Sequence, residues 1–260
     1  MSPSSRTGGE LLVECLSNLG VTTSFGVPGE SYLAVLDALY DADIKFTLCR
    51  HESAAGFAAA AYGKLTGAPG IGFVTRGPGA TNASIGVHTA MQDSSPMILF
   101  IGQVGVNDKG REAFQEVDYR AFFTPLAKWA TEIDNPDRIP EIISRAWHIA
   151  LSGRPGPVVV ALPEDMLTTL TESKPCQPVM IAEAGVDKDG LTQALEMLSA
   201  AENPLIIAGG GGWNAAGKKA LQHFAESQNI AVSAAFRYHD VIDNHSPIYI
   251  GDAGVGMAPH

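Results

Sequence analysis

Cysteine is scarce: Cys15, Cys49 and Cys176 are the only three in 260 residues. They are widely spaced and odd in number, so neither a disulfide framework nor a C-x-x-C metal site is suggested. Cys15 and Cys49 read as core residues. No apolar run approaches the roughly 20 residues that span a bilayer. The first ten residues, MSPSSRTGGE, hold no apolar signal region either. These two absences read as a cytoplasmic protein with no membrane partner. Positive charge is also short: 17 Lys and Arg against 28 Asp and Glu give a formal net charge of −11, with no block of like charges. That balance argues against nucleic acid or an anionic membrane as the main partner.

What is present is glycine (28), proline (16) and a hydrophobic fraction of 45%, as expected of an α/β protein with many short turns. Residues 8–19 place Leu11, Leu12, Cys15, Leu16 and Leu19 at helical spacing. A strand at 23–27 breaks at Pro28-Gly29, and 31–40 reads as a helix with Leu33, Leu36 and Leu39 on one face. Strands follow at 46–49, 70–75, 96–103, 129–133 and 157–163. Helices are expected at 52–64, 81–91, 119–127 and 137–152, and residues 107–118 read as a loop. The succession predicts a parallel sheet with helices on both faces for residues 1–168. Residues 169–186 are irregular and Pro-bearing, the composition of a linker. A second α/β (Rossmann-like) unit is expected over 187–260: helix 189–201, strand, glycine turn at 209–212, helix 215–227 and strand. So few strands would make a small, exposed sheet, so the chain reads as a fragment.

The join of strand and helix at Arg50-His51-Glu52 carries the chemistry. A carboxylate in the first turn of a helix has a plain reading as a complement to the macrodipole. Its position offers another, because the carboxyl ends of strands in α/β sheets are where ligands bind. The strand before it is expected to be buried. A carboxyl held among Ala, Gly and Phe57 loses solvation, which favours its protonated form. It can then exchange a proton with a heterocyclic nitrogen near neutral pH. Two glycine turns also precede helices. That at 209–212 lacks the G-x-G-x-x-G order, and consecutive glycines suffice to turn a backbone tightly. The turn GPGATN at 77–82 has no P-loop lysine, so close approach to a flat ligand, with Thr75 and Asn82 as polar fingers, fits better than phosphate binding.

Together GVPGE (26–30), RHESAAGFAAAAYGKLTG (50–67), GFVTRGPGATN (72–82) and AFQEVD (113–118) resemble the N-terminal pyrimidine-binding domain of thiamine-diphosphate-dependent enzymes, acetohydroxyacid (acetolactate) synthase type. The similarity runs through 11–167, and 203–226 is similar to the start of that family's middle domain. The resemblance implies that Glu52 hydrogen-bonds the cofactor's aminopyrimidine and relays a proton, which Gln could not do. It implies that Pro28 and Gly29 bring backbone to the ring with Glu30 nearby, that Thr75, Pro78 and Asn82 line the pocket, and that Gln115 reaches the reacting centre. For Gln115 and Glu116 a solvated loop is an equal reading. Arg76 stands where the synthases usually carry a small Ser, altering the pocket rim. His51 reads equally as a helix-start residue, and His88 as core or interface.

The family's diphosphate and Mg2+ site is a GDG motif with a downstream Asn in a third domain. The near match Gly251-Asp252-Ala253-Gly254 leaves no room for it, so no metal ligand is expected in this chain. The implied function is part of a 2-oxo acid decarboxylase and carboligase. Its cofactor is thiamine diphosphate, and its assembly a homodimer or homotetramer through the N-terminal domain. FAD in the middle domain is compatible with the family but supported by no residue pattern here. The alternatives are a non-catalytic assembly or regulatory module of the same fold, and a nucleotide binder using 209–212.

Overall fold

The first helix begins with a capping box. The Glu10 amide donates to the Thr7 hydroxyl at 3.2 Å, and the Thr7 amide donates to the Glu10 carboxylate at 2.6 Å. The structure is a computed structural model that describes residues 5–178, 180–182 and 184–255. The chain divides into two compact units between Ile181 and Ala182.

In the first unit β1 (Arg6–Thr7), α1 (Gly8–Asn18), β2 (Thr23–Gly26), α2 (Leu33–Tyr40), β3 (Lys45–Leu48), α3 (Glu52–Thr66), β4 (Gly70–Val74) and α4 (Pro78–Asp93) follow one another. Then come β5 (Met97–Gln103), α5 (Tyr119–Phe123), β6 (Trp129–Glu132), α6 (Ile139–Leu151), β7 (Pro157–Pro163), α7 (Glu164–Thr168) and β8 (Leu170–Thr171). Six strands form one sheet in the order β3-β2-β4-β5-β7-β6, every neighbouring pair parallel. The middle strands β5 and β7 are buried along their whole length, which is why MILFIG and PVVVALP read as unbroken apolar runs. Alternation sends Ile71, Phe73, Ile98, Phe100, Val158 and Val160 to the face covered by α1, α2 and α6. Val74, Met97, Leu99, Ile101 and Val159 face the layer of α3, α4 and α5. The expected parallel sheet with helices on both faces is therefore what forms.

The strand order positions the site. From β2 the chain moves outward to β3, then returns to lay β4 on the other side of β2, so the connections diverge at the carboxyl ends of β2 and β4. Such a switch point is where open α/β sheets leave a crevice. Above it α3 and α4 cross at Gly56 and Gly86: a Cβ on Gly86 would lie 2.5 Å from the Gly56 backbone.

Several sequence expectations are corrected. The strand before Glu52 is not buried: β3 pairs only with β2, at the sheet edge, and its Lys45 and Leu48 are exposed. Residues 30–32 form a 3-10 turn, after which α2 buries Val35 and Leu39 while Leu33 points outward. Pro78 sits at the first position of α4, which starts earlier than the apolar spacing suggests. His88 is exposed on α4, so it is not a core residue of this unit. Within the linker-like stretch, Leu170 and Thr171 pair antiparallel with Thr7 and Arg6. The Cys176 amide donates to Cys15 Sγ at 3.3 Å, and the Asn18 side chain donates to the Cys176 carbonyl at 3.1 Å.

The second unit contains α8 (Lys188–Ala200), β9 (Leu205–Ala208), α9 (Ala215–Gln228), β10 (Ala231–Ala235) and β11 (Tyr249–Ala253). Its parallel sheet has the order β11-β10-β9, and β11 was not legible in the sequence. A small core gathers Ala208, Ala225, Val232, Ala234, Val241, Ile242 and Ile248. No residue of α8 is buried, and Leu205 and Ile207 of β9 are exposed. Among the described residues no helix is long and apolar enough to cross a membrane.

Candidate functional site

Two turns meet at the switch point. Residues 27–30 leave β2 and residues 75–77 leave β4. Glycine is required at 29, since a Cβ there would sit 2.5 Å from the Thr75 Cβ. The Ser31 and Thr75 hydroxyls share a hydrogen bond of 2.8 Å, and Ser31 Oγ also accepts from the Arg76 amide at 3.2 Å. Tyr32 ties down the first turn by donating its hydroxyl to the Val27 carbonyl at 2.5 Å. Burial, and then the nearby negative charge of Glu52, push the Tyr32 phenol above its usual range, so it stays a donor. Pro28 and Pro78 are exposed at the mouths of the two turns.

Glu52 opens α3. His51 is its N-cap, with Nδ1 accepting from the Ser53 amide at 3.2 Å, so the helix-start reading of His51 is the one realised. The Glu52 side chain is half-buried and turned towards α4, where Asn82 Nδ2 donates to its Oε2 at 3.0 Å. The other carboxylate oxygen stands over Gly79. A Cβ on Gly79 would lie 3.6 Å from that oxygen and 2.8 Å from Thr75 Cγ2. Gly29, Glu52, Thr75 and Asn82 are thus brought into one cluster with a bare glycine floor. This cluster offers one carboxylate, one amide and one hydroxyl.

Gln115 reaches the same turns from the long loop between β5 and α5. It is half-buried with φ +63°, and Gly77 lies beneath it: a Cβ on Gly77 would come within 2.7 Å of the Gln115 Cβ. The Gly77 amide donates to the Tyr119 hydroxyl at 2.7 Å. Burial pushes the Tyr119 phenol up to about 12. Glu116 turns into its own loop, accepting from the amides of Gly110 at 2.6 Å and Ala113 at 3.1 Å. Those amides, Gly110 foremost, hold its carboxyl below the usual range. Glu30 is exposed and accepts from Arg76 at 3.3 Å.

Two clefts flank this arrangement. One of about 470 Å³ is lined by Glu30, Ser31, Asn107, Asp108, Glu164 and Asp165. The other, of about 440 Å³, is lined by Glu112, Gln115, Glu116 and Asp118. Among the described residues no group of three His, Cys, Asp or Glu could hold a metal ion. The glycine turn at 209–212 is an exposed strand-to-helix turn. Gly210 and Gly212 take positive φ, and the Trp213 indole donates to the Gly209 carbonyl at 3.3 Å. Sequence reasoning missed Ser31, Tyr32, Tyr119 and Glu164. Their parts depend on partners remote in sequence, such as Thr75 for Ser31, Gly77 for Tyr119 and Arg76 for Glu164, which no local pattern names.

The chain matches two family models: the thiamine pyrophosphate enzyme N-terminal TPP binding domain over residues 6–122, and the thiamine pyrophosphate enzyme central domain over residues 191–260. The acetolactate synthase isozyme 2 large subunit of Escherichia coli K12 is 34% identical over 248 residues, covering 95% of this chain and 45% of that protein. The acetolactate synthase of Arthrospira platensis is 34% identical over 259 residues, covering 96% and 45%. The acetolactate synthase large subunit of Corynebacterium glutamicum is also 34% identical over 259 residues, covering 98% and 41%. The chain spans a little under half the length of these relatives.

Proposed function

The chain belongs to the thiamine pyrophosphate enzyme family, and on that premise we propose that its first unit supplies the pyrimidine-binding half of an active site for 2-oxo acid decarboxylation and carboligation of the acetolactate synthase type. The observation that carries this reading is the Glu52 carboxylate, half-buried at the switch point and bonded to Asn82 at 3.0 Å over a glycine floor.

The donor set fits an aminopyrimidine. Such a ring is flat and presents ring nitrogens that accept and an exocyclic amine that donates. Glu52 can hold a proton at one carboxylate oxygen and give it to a ring nitrogen, while Asn82 keeps the carboxylate aimed. Thr75, with Gly29 and Gly79 admitting close approach, forms the adjoining wall, and Pro28, Glu30 and Pro78 form the rim. Gln115 projects from its loop as the amide nearest the reacting centre. Thiamine diphosphate, when bound, supplies the acidic carbon on which 2-oxo acid chemistry depends. Its diphosphate and a Mg2+ ion would be held by residues outside this stretch, and the assembly would be a homodimer or homotetramer through the first unit. In support, α3 and α4 expose Phe57 and Ile85 on the same helices as Glu52 and Asn82.

The test is an assay of the complete protein with pyruvate and a panel of other 2-oxo acids. Carbon dioxide release and acetolactate formation, both dependent on added thiamine diphosphate and Mg2+, are expected. No release from any 2-oxo acid would turn the reading to an assembly or regulatory module of the same fold.

A further inference from the structure

We infer that Arg76 is a positioning residue that fixes Gln115 in the site; this rests on the role given to Gln115 above. Arg76 leaves β4 directly after Thr75 and is 8% exposed. Its guanidinium reaches three separate segments: Nε donates to the Phe114 carbonyl at 3.2 Å, Nη1 to Glu164 at 2.9 Å and Nη2 to Glu30 at 3.3 Å. A buried guanidinium is costly unless its charge and donors are matched, and here the match is made by scaffold groups. Glu30 and Glu164 fix the plane of the fork, so its third arm aims at the Phe114 carbonyl.

That carbonyl belongs to the peptide linking Phe114 to Gln115, whose backbone has the positive φ that a side-chain-bearing residue rarely adopts. From below, Gly77 packs against the Gln115 Cβ and backbone. Consecutive residues 76 and 77 therefore grip consecutive residues 114 and 115, one through its side chain and one through its backbone. Lysine could not reproduce this, because an ammonium is a point charge without three diverging planar donors. Arg76 spends its charge on holding the loop, and the group held is the Gln115 amide.

The test is a double-mutant cycle on the complete protein with Arg76→Ser, Gln115→Ala and both together, with hydrogen exchange over residues 110–117 as a readout independent of activity. Arg76→Ser should lower kcat on the order of ten- to a hundredfold, the scale of a small misplacement, with thiamine diphosphate affinity little changed. The double variant should be no worse than Gln115→Ala alone. Exchange at 110–117 should rise in Arg76→Ser but not in Gln115→Ala, and Arg76→Lys should restore little. Should Arg76→Ser not fold, Glu164→Gln weakens the same fork and should move exchange and kcat in the same direction. Losses that multiply in the double variant, or unaltered exchange, would overturn the inference. A Gln115→Ala variant with full kcat would instead remove the role proposed for Gln115. Exchange alone would then decide whether Arg76 holds the loop.

Discussion

At the scale of single residues, the site is a set of hydrogen bonds between side chains remote in sequence. Gly77 and Tyr119 lie 42 positions apart, and Arg76 and Glu164 lie 88 apart. Glu52 stood out as a candidate because a strand running straight into an Ala-rich helix is a local pattern, and the structure places that residue against Asn82 of α4. Tyr119, Ser31 and Glu164 were not, since nothing local says what a distant amide or guanidinium needs. Removing one such partner gives a clean measurement. Tyr119→Phe leaves the buried Gly77 N–H without an acceptor and should cost about 1–3 kcal/mol, read by urea denaturation. Its pH dependence has a definite sign. The folded phenol titrates at about 12, above the ordinary value of about 10. The neutral form is therefore the one the fold favours, and its contribution is complete below about pH 10 and lost as pH climbs towards 12. Between those limits the wild type should lose more stability than Tyr119→Phe. Parallel curves would assign the shift elsewhere.

At the scale of elements, the strongly patterned pieces were readable and their neighbours were not. Six consecutive apolar residues in β5 and seven in β7 identify central strands without knowledge of the fold. Strand β3 misleads because Phe46 and Leu48 would suit a buried strand. Its edge position follows from sheet order, which local composition does not encode. The same holds for α2, where either Leu33 or Val35 could share a face with Leu39 until the preceding 3-10 turn sets the rotation. The crossing of α3 over α4 makes a graded prediction. A Cβ at Gly86 would lie 2.5 Å from Gly56 backbone atoms, whereas one at Gly56 would find its nearest neighbours at 3.1 Å. Gly86→Ala should destabilise by about 1–3 kcal/mol through overpacking, and Gly56→Ala by less. Because Glu52 and Asn82 ride on these two helices, Gly86→Ala should also lower activity. The reverse order of stability would mean that the helices can separate without cost.

At the scale of the whole molecule, two units were expected, and the structure divides between Ile181 and Ala182. The attachments of residues 170–176 to the first unit were not visible in sequence. A two-residue strand has no periodicity, and Cys176 is one apolar residue in a Pro-bearing stretch. Residues 184–187 are exposed and lack regular structure, so limited thermolysin digestion should cut between 181 and 188 and leave the first unit as a resistant fragment. Early cleavage within residues 97–163 instead would show that the unit does not stand alone. The central claim, that one half-buried carboxylate activates the cofactor by moving a proton, is tested most directly by Glu52→Gln in the complete protein. Glutamine keeps the shape and can still bond Asn82, but cannot relay a proton. Turnover of the 2-oxo acid should fall on the order of a hundredfold or more, with the melting temperature unchanged. Undiminished turnover in that variant would contradict the account.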